Sequence, residues 1–303
     1  SQQCGVGDFY IKNKGEITMK ITLKDGSSKE YSEAKSVYEI SKDISEGLAR
    51  VACAGEVDGE IVDLRTVLDK DCTLNIITSV QEAEDELRAI RHTASHVLAQ
   101  AVKNLFPDAK ITIGPAIDDG FYYDFDSQPF SREDLDALEA EMKKIIKQGH
   151  EITRFTLPRE EAIKFMKEKD EPYKVELIEE LPEGEEISFY DQGGFVDLCA
   201  GPHLMSTKGV KAFKLTASSM AYWRGDSNKA RLHRIYGTAY NKKEDLKAHL
   251  ERMEEAKKRD HNKLGREMEL FTTVDVIGQG LPLMMPKGTK MIMKLQRWFE
   301  DLE

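Results

Sequence analysis

An α+β fold is predicted from three features of the chain. Its first ordered stretch alternates apolar and polar residues, its middle carries two long runs with helical apolar spacing, and the segment after Phe189 is strand-like and rich in glycine. Strands and helices that come in separate runs, rather than in strict alternation, describe α+β layers. With 303 residues, 40% hydrophobic and 33% charged, the chain is long enough for two or three domains with substantial cores.

Taken in order, residues 1–18 carry no clear period and are expected to be a leader outside the folded units. "MKITLKDGSSKEYS" follows as a hairpin, with Met19, Ile21 and Leu23 on one face and Asp25-Gly26 at the turn. Ser36 then caps a helix, with Glu39 in the reciprocal position and Val37, Ile40 and Ile44 inward. Short strands broken at Asp58-Gly59 and Lys70-Asp71 complete a small unit over 19–79. The acidic "SVQEAEDE" separates it from a helix at 87–106, whose apolar stripe includes Ile90, Ala94, Val97, Leu98 and Ala101. At about 100° per residue, His92 and His96 project from the opposite side, so they are not expected to be core histidines. "ITIGPAIDDGFYYDFD" gives two strands around a turn, Ser131 caps a helix ending at Gly149, and a shorter helix follows Pro158. After the glycine-rich strands a long helix starts near Lys242, and the last segment is a strongly amphipathic helix carrying Met291, Ile292, Leu295, Trp298, Phe299 and Leu302. The expected divisions are therefore 19–79, 80–243, a helix over 244–265 and the beginning of a further domain at 266–303.

No run approaches the roughly 18 to 20 apolar residues of a membrane span, and no basic-then-apolar leader is present. A cytoplasmic location with no membrane partner is expected. The four cysteines stand singly, without C-x-x-C pairs, which argues for reduced thiols. A formal charge of −11 disfavours nucleic-acid binding by the chain as a whole, but "KGVKAFKLTASSMAYWRGDSNKARLHR" is a local exception. There Lys208, Lys211, Lys214, Arg224, Lys229, Arg231 and Arg234 meet a single acid, Asp226, with Trp223 among them. Such a strip suits a sugar-phosphate backbone with a stacked base, and it equally suits a solvated charged face.

Reactive side chains concentrate in "IRHTASHVLAQ" and "VDLCAGPHLM". His92 and His96 lie four apart on one helix face and Cys199 lies four before His203, a set of three nitrogens and one sulfur suited to zinc. The same groups suit ester hydrolysis without metal, since neutral imidazole activates water and a nearby cation stabilises developing negative charge. A Cys199 nucleophile with His203 as base, or a purely structural role for these residues, also fits the spacing.

The motifs "IRHTASHVLAQAVKNLFPDAKITIGPAIDDGFYYDFD", "EPYKVELI", "FVDLCAGPHLMST", "AYWRGDSNKARLHRIYGTAY" and "AKKRDHNKLGREMELF", in this order, closely resemble the N-terminal half of bacterial-type threonyl-tRNA synthetases. The resemblance covers nearly all of 19–303. It implies a ubiquitin-like TGS domain of β-grasp fold at 19–79, a two-part editing domain at 80–243, a linker helix, and a truncated start of the class II aminoacylation core. The implied activity is hydrolytic editing of mischarged seryl-tRNA for threonine with no required cofactor. Zinc held by His92, His96, Cys199 and His203, as in alanyl-type relatives, is the alternative. Ligase activity is not expected of the chain itself. Carried over residue by residue, His92 and Lys174 would activate water and stabilise charge, while His96, Asp197, Cys199 and His203 would line the pocket. Gly114 and Tyr123 would shape its wall, and the basic strip would track the acceptor stem. The implied partners are tRNA for threonine, including its seryl ester, and a second copy of the chain through the terminal helix. A non-catalytic tRNA-binding or dimerisation module is the competing reading.

Overall fold

In the computed structural model, which describes residues 19–78, 84–278 and 280–303, the opening hairpin forms where the alternation places it. Met19–Leu23 pairs antiparallel with Ser28–Tyr31 across a turn in which Gly26 takes φ +84°, a left-handed conformation open to glycine. The same strand runs parallel to Cys72–Thr78, and Ala52–Val57 and Glu60–Val62 complete a five-stranded sheet. Helix Val37–Ile44 begins with the expected reciprocal cap between Ser36 and Glu39. Its Val37 and Ile40 bury in one core with Met19, Ile21 and Leu74, which makes this unit a β-grasp. A second helix, Glu46–Val51, adds to the expected elements; Ser45 ends the first helix and caps this one. The leader at 1–18 and residues 79–83 of the acidic separator lie outside the described residues, and the separator's last three residues, 84–86, already belong to the following helix, which starts earlier than expected.

The next region is organised around helix Glu84–Leu105. On one side its apolar stripe packs against a sheet in which Ala212–Tyr222, Arg231–Tyr240, Gly120–Asp126 and Lys110–Ile111 are neighbours in that order. Helix Arg132–Gln148 joins this core through Leu135, Leu138, Met142 and Ile145. It starts at the capping box of Ser131 with Asp134 and stops at Gly149, whose φ of +70° ends the helix in the left-handed region. A second sheet of Ile152–Thr156, Ser188–Gln192 and Phe195–Leu198 carries its own core, shared with helices Arg159–Glu168 and Pro172–Glu180. The latter helix, which holds Lys174, has no strong periodic signal in the sequence.

The chain divides into two compact units, one ending at Lys243 and one running from Glu244. The second unit holds helix His261–Glu267, the short pair Phe271–Thr272 with Leu283–Met284, and the amphipathic helix Pro286–Leu302. Gly288 lies so close to the Leu270 carbonyl that a Cβ there would sit 2.0 Å from it, so the helix meets the preceding turn at a glycine. On the last helix Trp298, Phe299 and Leu302 are each more than half exposed.

Candidate active site

One helix and one loop bring the four predicted side chains together. His92 and His96 come from the middle of Glu84–Leu105, and Cys199 and His203 from the loop that follows strand Phe195–Leu198. One donor atom from each falls within 4.8 Å of every other. The Cys199 Sγ lies 3.2 Å from Nε2 of both His92 and His203. The helix face opposite the apolar stripe is not solvent, as the amphipathic reading had implied for His92 and His96. His96 is 3% exposed, and Thr93 and Gln100 beside it are buried too. They are covered because Gln192, on the second sheet, donates to the His96 carbonyl and to Gln100 Oε1, while the Leu204 N–H donates to Thr93 Oγ1. His96 and His203 are thus buried histidines in a polar layer, and His92 and Cys199 are partly exposed at its edge.

A charged floor lies beneath this layer. Lys174 Nζ pairs with Asp197 Oδ1 at 2.6 Å, and Tyr123 donates its hydroxyl to Asp197 Oδ2 at 2.6 Å. His96 Nε2 approaches the same oxygen at 3.7 Å. Burial alone would raise the Asp197 carboxyl, but the Lys174 ammonium, His96 and the Tyr123 hydroxyl together hold it below the ordinary carboxylate value. The ammonium of Lys174 is enclosed at 3% side-chain exposure and engaged by Asp197.

The imidazoles are held neutral. Burial, reinforced by the His96 ring, lowers His92 to about 3, and burial lowers His96 to about 4. His203 also falls well below its ordinary value, first through burial and then through His96 and His92. Burial pushes the Cys199 thiol up to about 12, which disfavours a resting thiolate at neutral pH. Tautomers follow from the partners. The Thr93 hydroxyl donates to the Ala89 carbonyl at 2.8 Å and so accepts at 3.4 Å from His203 Nδ1, leaving the Nε2 lone pair towards Sγ. His92 bonds the Pro202 backbone and also turns Nε2 to Sγ. Two lone pairs therefore face one S–H hydrogen. The spare pair is available to a proton or to a cation.

The donor set suits zinc. Tetrahedral bonds of about 2.0 to 2.3 Å separate neighbouring ligand atoms by roughly 3.4 to 3.6 Å, close to the two 3.2 Å edges found at Sγ. His92, His203 and Cys199 would hold the ion, with His96 closing the set once it turned from Asp197.

Gly114 stands against the ring of Tyr123, where a Cβ would lie 2.0 Å from Cδ2, and Ser95 fixes its carbonyl with a 2.6 Å hydrogen bond. The wall expected from these two residues is therefore one packed piece with the Asp197 floor.

The basic strip fares differently. Trp223 is 3% exposed, donates Nε1 to Glu176 and packs on Tyr173, so its ring is not a stacking platform. Arg234 binds both oxygens of Asp124 at 2.7 and 2.8 Å over the Tyr122 ring, and Lys214 pairs with Glu139 at 2.6 Å. Arg224 is bound to Glu176 and Glu180, and Lys229 lies 3.8 Å from Glu176. Trp223 is buried and Arg234 and Lys214 are half-buried against acids far away in sequence, whereas Arg224 and Lys229 form exposed ion pairs. Lys208, Lys211 and Arg231 remain exposed.

Residues 19–78 match the TGS domain family, and residues 187–236 match the family described as "Threonyl and Alanyl tRNA synthetase second additional domain". The chain is 59% identical over 286 residues to the threonine–tRNA ligase of Clostridium perfringens and 60% identical over 284 residues to that of Acetivibrio thermocellus. These matches cover 94% and 93% of the chain and 44% of each relative. The threonine–tRNA ligase of Caldanaerobacter subterraneus is 58% identical over 271 residues, covering 89% of the chain and 42% of that protein. The chain thus spans less than half the length of these curated relatives. It is homologous to threonine–tRNA ligases and carries a TGS domain followed by the second additional domain, an editing domain, in the order expected of their N-terminal half.

Proposed function

We propose that the site hydrolyses the ester that joins serine to tRNA for threonine. The observation that carries this reading is the gathering of a partly exposed His92 with His96, Cys199 and His203 in one cluster, beside the buried Lys174–Asp197 pair that His96 approaches. A neutral imidazole can take a proton from water as it attacks the ester carbonyl, then return it to the departing ribose oxygen. Such a second site has a physical motive. Serine lacks one methyl group of threonine, and a pocket discriminates one methyl by only about 1 to 3 kcal/mol, roughly 10- to 200-fold. In this reading Asp197, Tyr123 and Gly114 shape the serine pocket, His96, Cys199 and His203 orient its edge, and the exposed Lys208, Lys211 and Arg231 meet the acceptor stem.

Hydrolysis by His92 needs no metal; zinc at the His/Cys set would instead polarise the ester and lower the pKa of bound water. The exposed Trp298, Phe299 and Leu302 support a further partner, a second copy of the chain in the cytoplasm. Incubating the chain separately with seryl- and threonyl-tRNA is the test. Rapid loss of serine alone, abolished by His92→Ala, is expected. Equal hydrolysis of both esters, or salt-sensitive RNA binding without turnover, would refute the reading in favour of a binding module. Stoichiometric zinc with activity lost on chelation would replace the metal-free route.

A further inference from the structure

The loop that carries His203 is not held by the editing sheets alone. Asp63, on the turn after strand Glu60–Val62 of the β-grasp unit, accepts the His203 N–H at 2.9 Å and the Tyr190 hydroxyl at 3.1 Å on Oδ2. Its other oxygen accepts from the backbone N–H of Arg65 at 2.8 Å and from Nη1 at 2.9 Å. The Arg65 guanidinium then donates to the carbonyls of Ile152, His203 and Leu204. Both backbone polar groups of His203 therefore end on this turn, some 140 residues away in sequence. Tyr190 adds a ring contact to the imidazole at 4.5 Å between centroids. Asp63 and His203 are 6% and 0% exposed, so water cannot replace these bonds.

We infer that Asp63 and Arg65 of the β-grasp turn are positioning residues of the site, setting where His203 Nε2 meets the Cys199 thiol. The β-grasp unit is then a wall of the active site and not an appended module. The expected effect on turnover rests on the hydrolase reading; the positioning itself does not.

The test uses the whole chain with Asp63→Ala and Asp63→Asn. Backbone amide exchange at His203 and its imidazole nitrogen shifts are followed by NMR beside deacylation kinetics. Asp63→Ala is expected to speed exchange at His203 by at least about tenfold relative to core amides of the histidine helix, as loss of a hydrogen bond to a charged group implies. It should also move the imidazole shifts and lower kcat about tenfold or more, with KM little changed. Asp63→Asn keeps one acceptor oxygen for two sets of donors and should fall between. Unchanged His203 exchange and shifts would overturn the inference, whatever the activity. So would altered shifts with an unaltered kcat in a chain whose wild type is active. A wild type without deacylase activity, with His203 still displaced by Asp63→Ala, would sink the hydrolase reading and support the positioning. If Asp63→Ala fails to fold, Asp63→Asn decides by the same measurements.

Discussion

Replacing Asp197 by Asn should be among the most damaging single changes to this chain, because it strands a buried charge. The carboxylate and the Lys174 ammonium are 1% and 3% exposed at 2.6 Å, with the Tyr123 hydroxyl as the other close partner. Removing one member of such a pair costs about 3 to 5 kcal/mol, since the remaining ion keeps its desolvation penalty without its counter-charge. For a unit of this size each kcal/mol lowers Tm by roughly 2 to 4 °C, so a fall of about 6 to 20 °C is expected for Asp197→Asn. Converting Lys174→Met in the same chain removes the stranded ammonium, while the side-chain amide introduced by Asp197→Asn can still accept from the Tyr123 hydroxyl. The double variant should therefore melt well above Asp197→Asn, with a coupling energy of at least about 2 kcal/mol. Calorimetry on the four members of the cycle measures this directly. A single variant within about 2 °C of wild type, or a double variant no more stable than Asp197→Asn, would refute the idea of a desolvated pair.

Three further outcomes follow from the same geometry. Because His92 and His96 titrate at about 3 and 4 when folded, and near 6.5 when unfolded, the unfolded chain binds more protons between those values. Stability therefore falls as pH drops below about 6.5, by about 2 kcal/mol per buried histidine at pH 5; the metal-free protein should melt lower at pH 5 than at pH 7, less so with His96→Gln, and a flat profile would contradict the burial. Gly114→Ala would push a methyl into the Tyr123 ring, and overpacking of this kind costs about 1 to 3 kcal/mol; a drop in both Tm and seryl-tRNA deacylation is expected, and unchanged kinetics would separate that wall from the pocket. Arg234→Ala should destabilise by about 2 kcal/mol, as loss of hydrogen bonds to a charged group implies, with little effect on the salt dependence of RNA binding, whereas Lys211→Ala should leave Tm alone and reduce the slope of log K against log salt by about 0.7 to 1.

The difference between Arg234 and Lys211 shows where sequence reasoning reached its limit. Signals carried by a few neighbouring residues were legible. The caps at Ser36 and Ser131, the stop at Gly149 and the turn at Gly26 depend on contacts within about four positions, and each of them formed. The His92 to His96 spacing was legible for the same reason, as one turn of helix aligns the two rings. What was not legible depends on a partner brought in from far along the chain. A helix with one apolar stripe normally gives its other face to water, and nothing between residues 87 and 106 announces that a second sheet will cover it. Thr93, Ser95 and Gln100, uncharged polar residues on that helix, were the available hint.

Part of the basic strip turned out to be paired within the fold, which counting its charges against Asp226 alone had missed. Glu139, Asp124, Glu176 and Glu180 all precede the strip by long stretches of chain, as far as 110 residues for Asp124 and Arg234, so a local window counts the cations and misses the acids. Asp63 and Arg65 are the extreme case. Within their own unit they look like an ordinary polar turn, and only the approach of His203 across 140 positions gives them a role. A charged residue in a sequence states a demand for compensation, and the fold decides whether a ligand or another part of the chain meets it. Cations paired with acids inside the fold, such as Arg234 with Asp124, are weak candidates for binding RNA, so the search for the tRNA path on this protein begins at Lys208, Lys211 and Arg231, which face solvent and carry no acid partner among the ion pairs described above.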